Sequence, residues 1–225
     1  MNVAALMPVK GFRNAKQRLS PLLSGPAREL LAEAMFRDVL REVRLARGLG
    51  GTFVVTGDDK VAAIASSIGA EVIRETAEDG ETGAVDFARM ELKNAGCEAV
   101  LILPGDMPLV RAAYVEAILA QVPADAAAPF ALLVPSHDRL GTNALLLAPP
   151  DVIALRFGYD SFRFHTSQVE AQKLAVRCFE NDRIALDIDE PKDLQRFLAY
   201  AETNPSSQVA RKLLAETRPS EPAAR

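Results

Sequence analysis

The chain has 225 residues, 49% of them hydrophobic and 25% charged, with a formal net charge of −4 at pH 7. That suits one sizeable globular domain, leaves too little chain for two ordinary ones, and excludes bulk attraction to nucleic acid or an anionic membrane. No apolar run approaches the roughly 20 residues that span a bilayer, Met1–Pro8 lack a signal peptide's cationic start and cleavage site, and Cys97 and Cys178 stand apart without C-x-x-C spacing, so the expected compartment is the cytoplasm.

In chain order, the short apolar run Val3–Pro8 predicts a first strand, followed by a polar, basic loop over Lys10–Ser20. Ser24, Gly25 and Pro26 offer a cap and a helix-starting proline ahead of Leu31, Met35, Val39 and Val43, whose spacing predicts an amphipathic helix to about Arg47. Gly50 and Gly51 stop it. Further strands are expected at Thr52–Thr56, Ala70–Arg74 and Glu98–Pro104, with helices at Lys60–Ile68, 83–95 and Arg111–Gln121. The run Glu98–Pro104 is near-continuously apolar, as a strand buried on both faces should be. Strands at Phe130–Val134, Thr142–Ala148, Ala175–Phe179 and Ile184–Ile188 follow, with helices over 160–173 and from Pro191 to about Tyr200. The domain is expected to occupy 1–203. Residues 204–225 read as a tail whose last ten residues are disordered. Strand and helix alternate through the first 120 residues, which implies a single α/β domain with a central, mostly parallel sheet flanked by helices; ligands then bind beyond the carboxyl ends of the strands.

Four constellations fall on those ends. Lys10, Arg13, Lys16 and Arg18 crowd into the loop after the first strand of an acidic chain. Charge alone reads as a solvated basic loop; the position favours a polyphosphate site, with Lys as a mobile point charge and Arg as a bidentate fork. The P-loop and G-x-G-x-x-G patterns are both missing. In Pro104-Gly105-Asp106-Met107-Pro108 a carboxylate follows a buried strand; turn chemistry is the plain reading and Mg²⁺ ligation the functional one. Asp187 and Asp189 alternate with apolar residues, so both side chains lie on one face, where two carboxylates repel unless a cation intervenes. Asp189 is open to a second reading as a helix N-cap. Finally, Gly141, Thr142 and Asn143 with Gly158 and Ser161 can wrap an anion with N–H and O–H donors, a weak signal by itself. The two histidines, His137 and His165, are too few for a zinc site and read as surface or packing residues. There is no G-x-S-x-G elbow.

Taken together, Pro8-Val9-Lys10 with Lys16-x-Arg18-Leu19, Gly105-Asp106-Met107-Pro108-Leu109, Gly141-Thr142-Asn143, Phe157-Gly158-x-x-Ser161-Phe162 and Asp187-Ile188-Asp189-x-Pro191-x-Asp193-Leu194 resemble the 2-phospholactate / phosphoenolpyruvate guanylyltransferases of coenzyme F-420 biosynthesis. The resemblance runs from residue 3 to about 197. It implies a GT-A-like fold, a mixed sheet related to sugar-nucleotide pyrophosphorylases. It implies GTP as co-substrate and two Mg²⁺ ions held by Asp106, Asp187 and Asp189. Lys10 and Lys16 would meet the triphosphate, and with Asp106 they are the catalytic candidates. Pro8, Arg13, Pro104, Thr56 to Asp58, Glu75 and Gly80 would line the rest of the nucleotide site, and Thr142, Gly158 and Ser161 would hold the acceptor's phosphate. The chain departs from the family pattern at Gly80-Glu81-Thr82-Gly83, the stretch expected beside the base. The implied reaction is GMP transfer to the phosphate of phosphoenolpyruvate, 2-phospholactate or 3-phosphoglycerate. The partners are small molecules only, with a monomer or homodimer passing its product to a downstream deazaflavin transferase. Rival readings are a cytidylyl- or molybdopterin-type nucleotidyltransferase, a GT-A glycosyltransferase, or a silent nucleotide-binding regulator.

Overall fold

A computed structural model describes residues 1–75, 80–123 and 128–217. Seven strands form one sheet: β1 (Val3–Pro8), β2 (Gly51–Thr56), β3 (Glu71–Arg74), β4 (Ala99–Ile102), β5 (Phe130–Pro135), β6 (Thr142–Ala148) and β7 (Arg177–Cys178). Their order is β3-β2-β1-β4-β6-β5-β7, and every pairing is parallel except the two made by β6. The reversal of β6 matters for function. It places the beginning of that strand, Thr142 and Asn143, on the same edge of the sheet as the ends of β1 and β4.

The helices are α1 (Gly25–Leu45), α2 (Asp59–Ile68), α3 (Gly80–Asn94), α4 (Ala112–Leu119), α5 (Ser161–Ala171), α6 (Pro191–Ala199) and α7 (Pro205–Thr217). Strand residues alternate between two cores. Ala5, Met7, Leu101 and Leu146 pack on the face covered by α1, α2 and α4, while Leu6, Val100, Ile102 and Leu145 pack on the face covered by α3 and α5. Burial on both faces is why β4 is an unbroken apolar run. Truncating a buried leucine there, such as Leu101, leaves a cavity costing about 2–5 kcal/mol. Helix α1 starts as its sequence requires: Ser24 Oγ accepts the N–H of Ala27 at 3.4 Å, with proline in the first turn.

Two expectations are corrected. Ile184–Ile188 is not a strand: Ile184 and Ala185 close a turn begun at Asn181, and the residues that follow join no ladder. Its backbone instead makes isolated bonds, with Ile188 N–H donating to Asp106 O (3.1 Å) and His137 N–H to Ala185 O (2.8 Å). Ile184, Leu186 and Ile188 still point inward while Asp187 and Asp189 face outward. Second, the domain does not end at 203. Helix α7 carries Ala210 and Leu213 into a third core with Leu31, Met35 and Phe197. Buried Asp38 on α1 accepts the N–H of Ser206 at 2.8 Å and its hydroxyl proton. The disorder expected for the last ten residues falls almost wholly outside the described residues.

Candidate active site

Two clefts open on the sheet edge and share a wall made of Glu81, Pro104 and Asp106. The first, about 200 Å³, lies under the basic loop between Pro8, Lys10, Lys16 and the α1 residues Met35 and Phe36. The second, about 630 Å³, is a wider bowl bounded by Thr142, Gly158, Ser161, Asp187 and Asp189.

Lys16 sits at the junction. It adopts the left-handed conformation (φ 52°), unusual for a residue with a Cβ and the kind of backbone strain kept where geometry matters. The turn is made possible upstream by Gly11 (φ 146°), where an added Cβ would lie 2.8 Å from Asp58 Oδ2. So aimed, Lys16 Nζ donates to Asp106 Oδ2 at 2.6 Å and Asp189 Oδ1 at 2.9 Å. Burial alone would push its ammonium down; the charges of Asp106 and Asp189 outweigh this and hold it above the ordinary lysine range. Burial likewise opposes ionisation of Asp189, and Lys16 overrides it to hold that carboxyl below the usual range. Asp189 is not a helix cap: Asp193 Oδ2 accepts the N–H of Glu190 at 2.8 Å and of Asp189 at 3.2 Å, leaving the Asp189 side chain to Lys16.

Among the described residues no cation is bonded to Asp187. Its Oδ1 accepts from Asn143 Nδ2 at 3.1 Å, yet burial and the charge of Asp106 push it up to about 6. The Glu81 side chain keeps an exposed edge, but desolvation of its carboxyl between the two clefts, and then the charge of Asp106, push it up to about 7 against the pull of Lys10 and Lys16. Asp106 Oδ1 is buried without a hydrogen-bond partner among the described residues. These are signs of carboxylates in excess of local positive charge. Hard oxygen donors in that state fit a hard divalent cation. Among the described residues, however, no three acidic, imidazole or thiol groups stand as a ready ligand cluster, and the ammonium of Lys16 fills the space between Asp106 and Asp189.

The bowl wall is built differently. Ser161 Oγ at the start of α5 accepts the N–H of Thr142 (3.1 Å), and Thr142 Oγ1 lies 3.0 Å from His165 Nδ1. Gly158, with φ 98°, turns the loop into this wall. Of the residues expected at the site, Pro8, Lys10, Lys16, Pro104 and Asp106 meet in the first cleft, and Thr142, Gly158, Ser161, Asp187 and Asp189 in the second. Arg13, Thr56, Asp58, Glu75 and Gly80 line neither. Asp58 caps α2, accepting the N–H of Val61 at 2.9 Å, and the buried Thr56 hydroxyl accepts the N–H of Asp58 at 3.0 Å. Glu81, from the stretch Gly80–Gly83 expected beside the base, lines both clefts, and His165, at the end of Phe157-Gly158-x-x-Ser161-Phe162-x-x-His165, is bonded to the bowl wall; neither stands among the expected site residues. The four-residue step from Ser161 to His165 is the signal that places both on one helix face.

The seven-stranded mixed sheet, with carboxylates and lysines gathered at one edge, is the fold of the nucleotide-diphospho-sugar transferases. A crystal structure from Desulfovibrio desulfuricans G20, described as that of such a transferase, matches the chain with a TM-score of 0.76 at 18% identity, covering 96% of this chain and 98% of its own. Sequence narrows the class. The profile described as "Guanylyl transferase CofC like" matches residues 3–225. The phosphoenolpyruvate guanylyltransferase of Conexibacter woesei is 36% identical over 194 residues, 86% of each chain. The 2-phospho-L-lactate guanylyltransferase of Methanothermobacter thermautotrophicus is 32% identical over 220 residues, 98% of this chain and 95% of its own. The chain belongs to this guanylyltransferase family. Among the described residues no helix is long and apolar enough to cross a membrane.

Proposed function

We propose that the chain transfers GMP from GTP to the phosphate of a three-carbon acid in coenzyme F-420 biosynthesis, releasing pyrophosphate, with phosphoenolpyruvate the first acceptor to test. The observation that carries this is the meeting of two clefts at Asp106, with Lys16 bridging from the loop of one to the carboxylates of the other. The first cleft suits the triphosphate: Lys10 is exposed at its mouth and has no ion-pair partner among the described residues, so its charge is free for phosphate oxygens. The bowl suits a small anion, with Gly158 and two hydroxyls on its wall.

The acceptor phosphate is largely dianionic at neutral pH and needs no general base. One of its oxygens forms a bond to the α-phosphorus while the bond from that phosphorus to the bridging oxygen of pyrophosphate breaks. The residues orient the two polyanions and offset their repulsion, about 4 kcal/mol for bare unit charges 4 Å apart at an effective dielectric of 20. Lys10 and Lys16 serve the departing pyrophosphate, and Thr142, Gly158 and Ser161 hold the acceptor. Asp106, Asp187 and Asp189 would hold Mg²⁺, which supplies charge neutralisation between the reacting phosphates. We place the enzyme in the cytoplasm, consistent with two free cysteines.

The test is pyrophosphate release with GTP, Mg²⁺ and each of phosphoenolpyruvate, 2-phospholactate and 3-phosphoglycerate, with sugar phosphates and a pterin as controls. Release with one of the three acids is expected. Release only with a sugar or pterin, or with no acceptor at all, overturns the proposal.

A further inference from the structure

His165 lines neither cleft, yet it is bonded to a residue that does. It is fully buried and stands one helical turn after Ser161 on α5, so both side chains face the start of β6. Its Nε2 accepts the backbone N–H of Arg156 at 3.2 Å. A ring nitrogen that accepts carries no proton, so the neutral imidazole is protonated on Nδ1. That Nδ1–H donates to Thr142 Oγ1, 3.0 Å away. One lone pair of the threonine oxygen is thereby taken, and its own proton, which cannot point at the ring, has to go elsewhere. Ser161 is in the same position, since its Oγ accepts the N–H of Thr142. Both hydroxyls lie on the wall of the bowl beside Gly158.

We infer that His165 is a positioning residue for the acceptor acid: through Nδ1–H it makes the Thr142 hydroxyl a dedicated donor, paired with that of Ser161, toward an anionic oxygen in the bowl. The inference rests on reading the bowl as the acceptor site. The surroundings keep the ring neutral and fixed. Burial, with the charges of Arg156 and Arg89, pushes His165 down to about 4. Phe157 and Phe164 meet it edge-on with centroids 5.5 and 5.8 Å away. The Arg156 guanidinium lies 4.3 Å over Phe164, holding the segment that supplies the N–H to Nε2. A donor-only hydroxyl pair suits a ligand oxygen that only accepts, as phosphate and carboxylate oxygens do.

The experiment compares Thr142→Val, His165→Leu, His165→Asn, His165→Gln and the double variant Thr142→Val/His165→Leu, using GTP, Mg²⁺ and the acid preferred by the parent enzyme. Loss of one hydrogen bond to a charged oxygen corresponds to about a tenfold rise in acceptor KM. Thr142→Val and His165→Leu should each show that rise, with the KM for GTP changed less than about twofold. The double variant should be no worse than Thr142→Val alone, because His165 acts through the threonine. Asparagine carries an amide N–H near the Nδ1 position and should restore acceptor KM to within about threefold. Glutamine, whose amide reaches the Nε2 position, should not, and this pair decides the matter if His165→Leu fails to fold. An unchanged acceptor KM in His165→Leu, or penalties that multiply in the double variant, overturns the inference while leaving the acceptor site intact. An unchanged acceptor KM in Thr142→Val overturns both.

Discussion

The two walls that meet at Asp106 are made by opposite strategies. On the side proposed for the nucleotide, Lys10 is an exposed cation on the loop that follows β1, with no ion-pair partner among the described residues. On the acceptor side, Thr142, Ser161 and His165 are at most 6% exposed, anchored on a strand and a helix, and bonded to one another. A triphosphate offers many equivalent oxygens, so mobile point charges satisfy it in several poses. A three-carbon acid offers few handles, and a wall with preset hydrogen-bond polarity can select among them. The contrast teaches that charge and stability are separable on one side of this site and merged on the other.

The largest test strikes the shared wall. Asp106→Ala should reduce turnover at least about 100-fold, read as pyrophosphate release at saturating substrates; more than a tenth of the parent rate would remove Asp106 from the chemistry. Ser161→Ala should then separate the walls. It strips one donor from the bowl and strands the buried N–H of Thr142, so acceptor KM should rise about tenfold and stability should fall by about 1–2 kcal/mol in urea titration. Lys10→Ala, by contrast, should raise the KM for GTP roughly fivefold with no measurable change in unfolding, since Lys10 is exposed and has no ion-pair partner among the described residues. A stability loss there would break the comparison.

A smaller effect concerns pH. Asp187 is held at about 6 against an ordinary value of 3.8, so the folded state binds its proton more tightly than the unfolded state does. Its ionised form therefore costs stability above pH 6, and the cost is relieved as pH falls from 6 toward 4. Without Mg²⁺, Asp187→Asn should be more stable than the parent by about 1 kcal/mol at pH 7.5, and the gain should vanish near pH 4. A gain that persists at pH 4 would assign it to packing. Last, Arg13→Ala should change neither KM by more than about twofold, because Arg13 is exposed and lines neither cleft.

Much of this was legible in the chain. The apolar runs of β1, β4 and β6 announce strands buried on both faces, and Ser24 with Pro26 announces α1. Lys10 and Asp106 are legible because each follows an apolar run, which marks the edge of the sheet, and Asp187 and Asp189 because they alternate with buried residues. What could not be read has physical causes. Ile184–Ile188 alternates like a strand because it has an inside and an outside, but its carbonyls and N–H groups find single partners on loops instead of a neighbouring strand. Helix α7 was hidden by the proline and serines that begin it. Those residues are its start signal, answered by Asp38 more than 160 positions earlier, a partner no local pattern reveals. Thr56, Asp58 and Glu75 occupy the right edge of the sheet, but the loop hydrogen bonds of Thr56 and Asp58 turn them toward α2. His165 ends the run Phe157-Gly158-x-x-Ser161-Phe162-x-x-His165, but the run does not say which ring nitrogen meets Thr142, and the role proposed for it comes from what its two nitrogens touch.

The attachment of α7 carries a consequence for handling the protein. Asp38 lies on the same helix as Phe36, whose ring packs 3.2 Å from the position a Cβ would take on Gly105, the residue before Asp106. A protease cut ahead of residue 205 would leave a carboxylate buried in α1 without its serine, and the disturbance would reach the reaction centre through one turn of helix. Versions cut ahead of residue 205 should therefore lose activity before they lose their sheet.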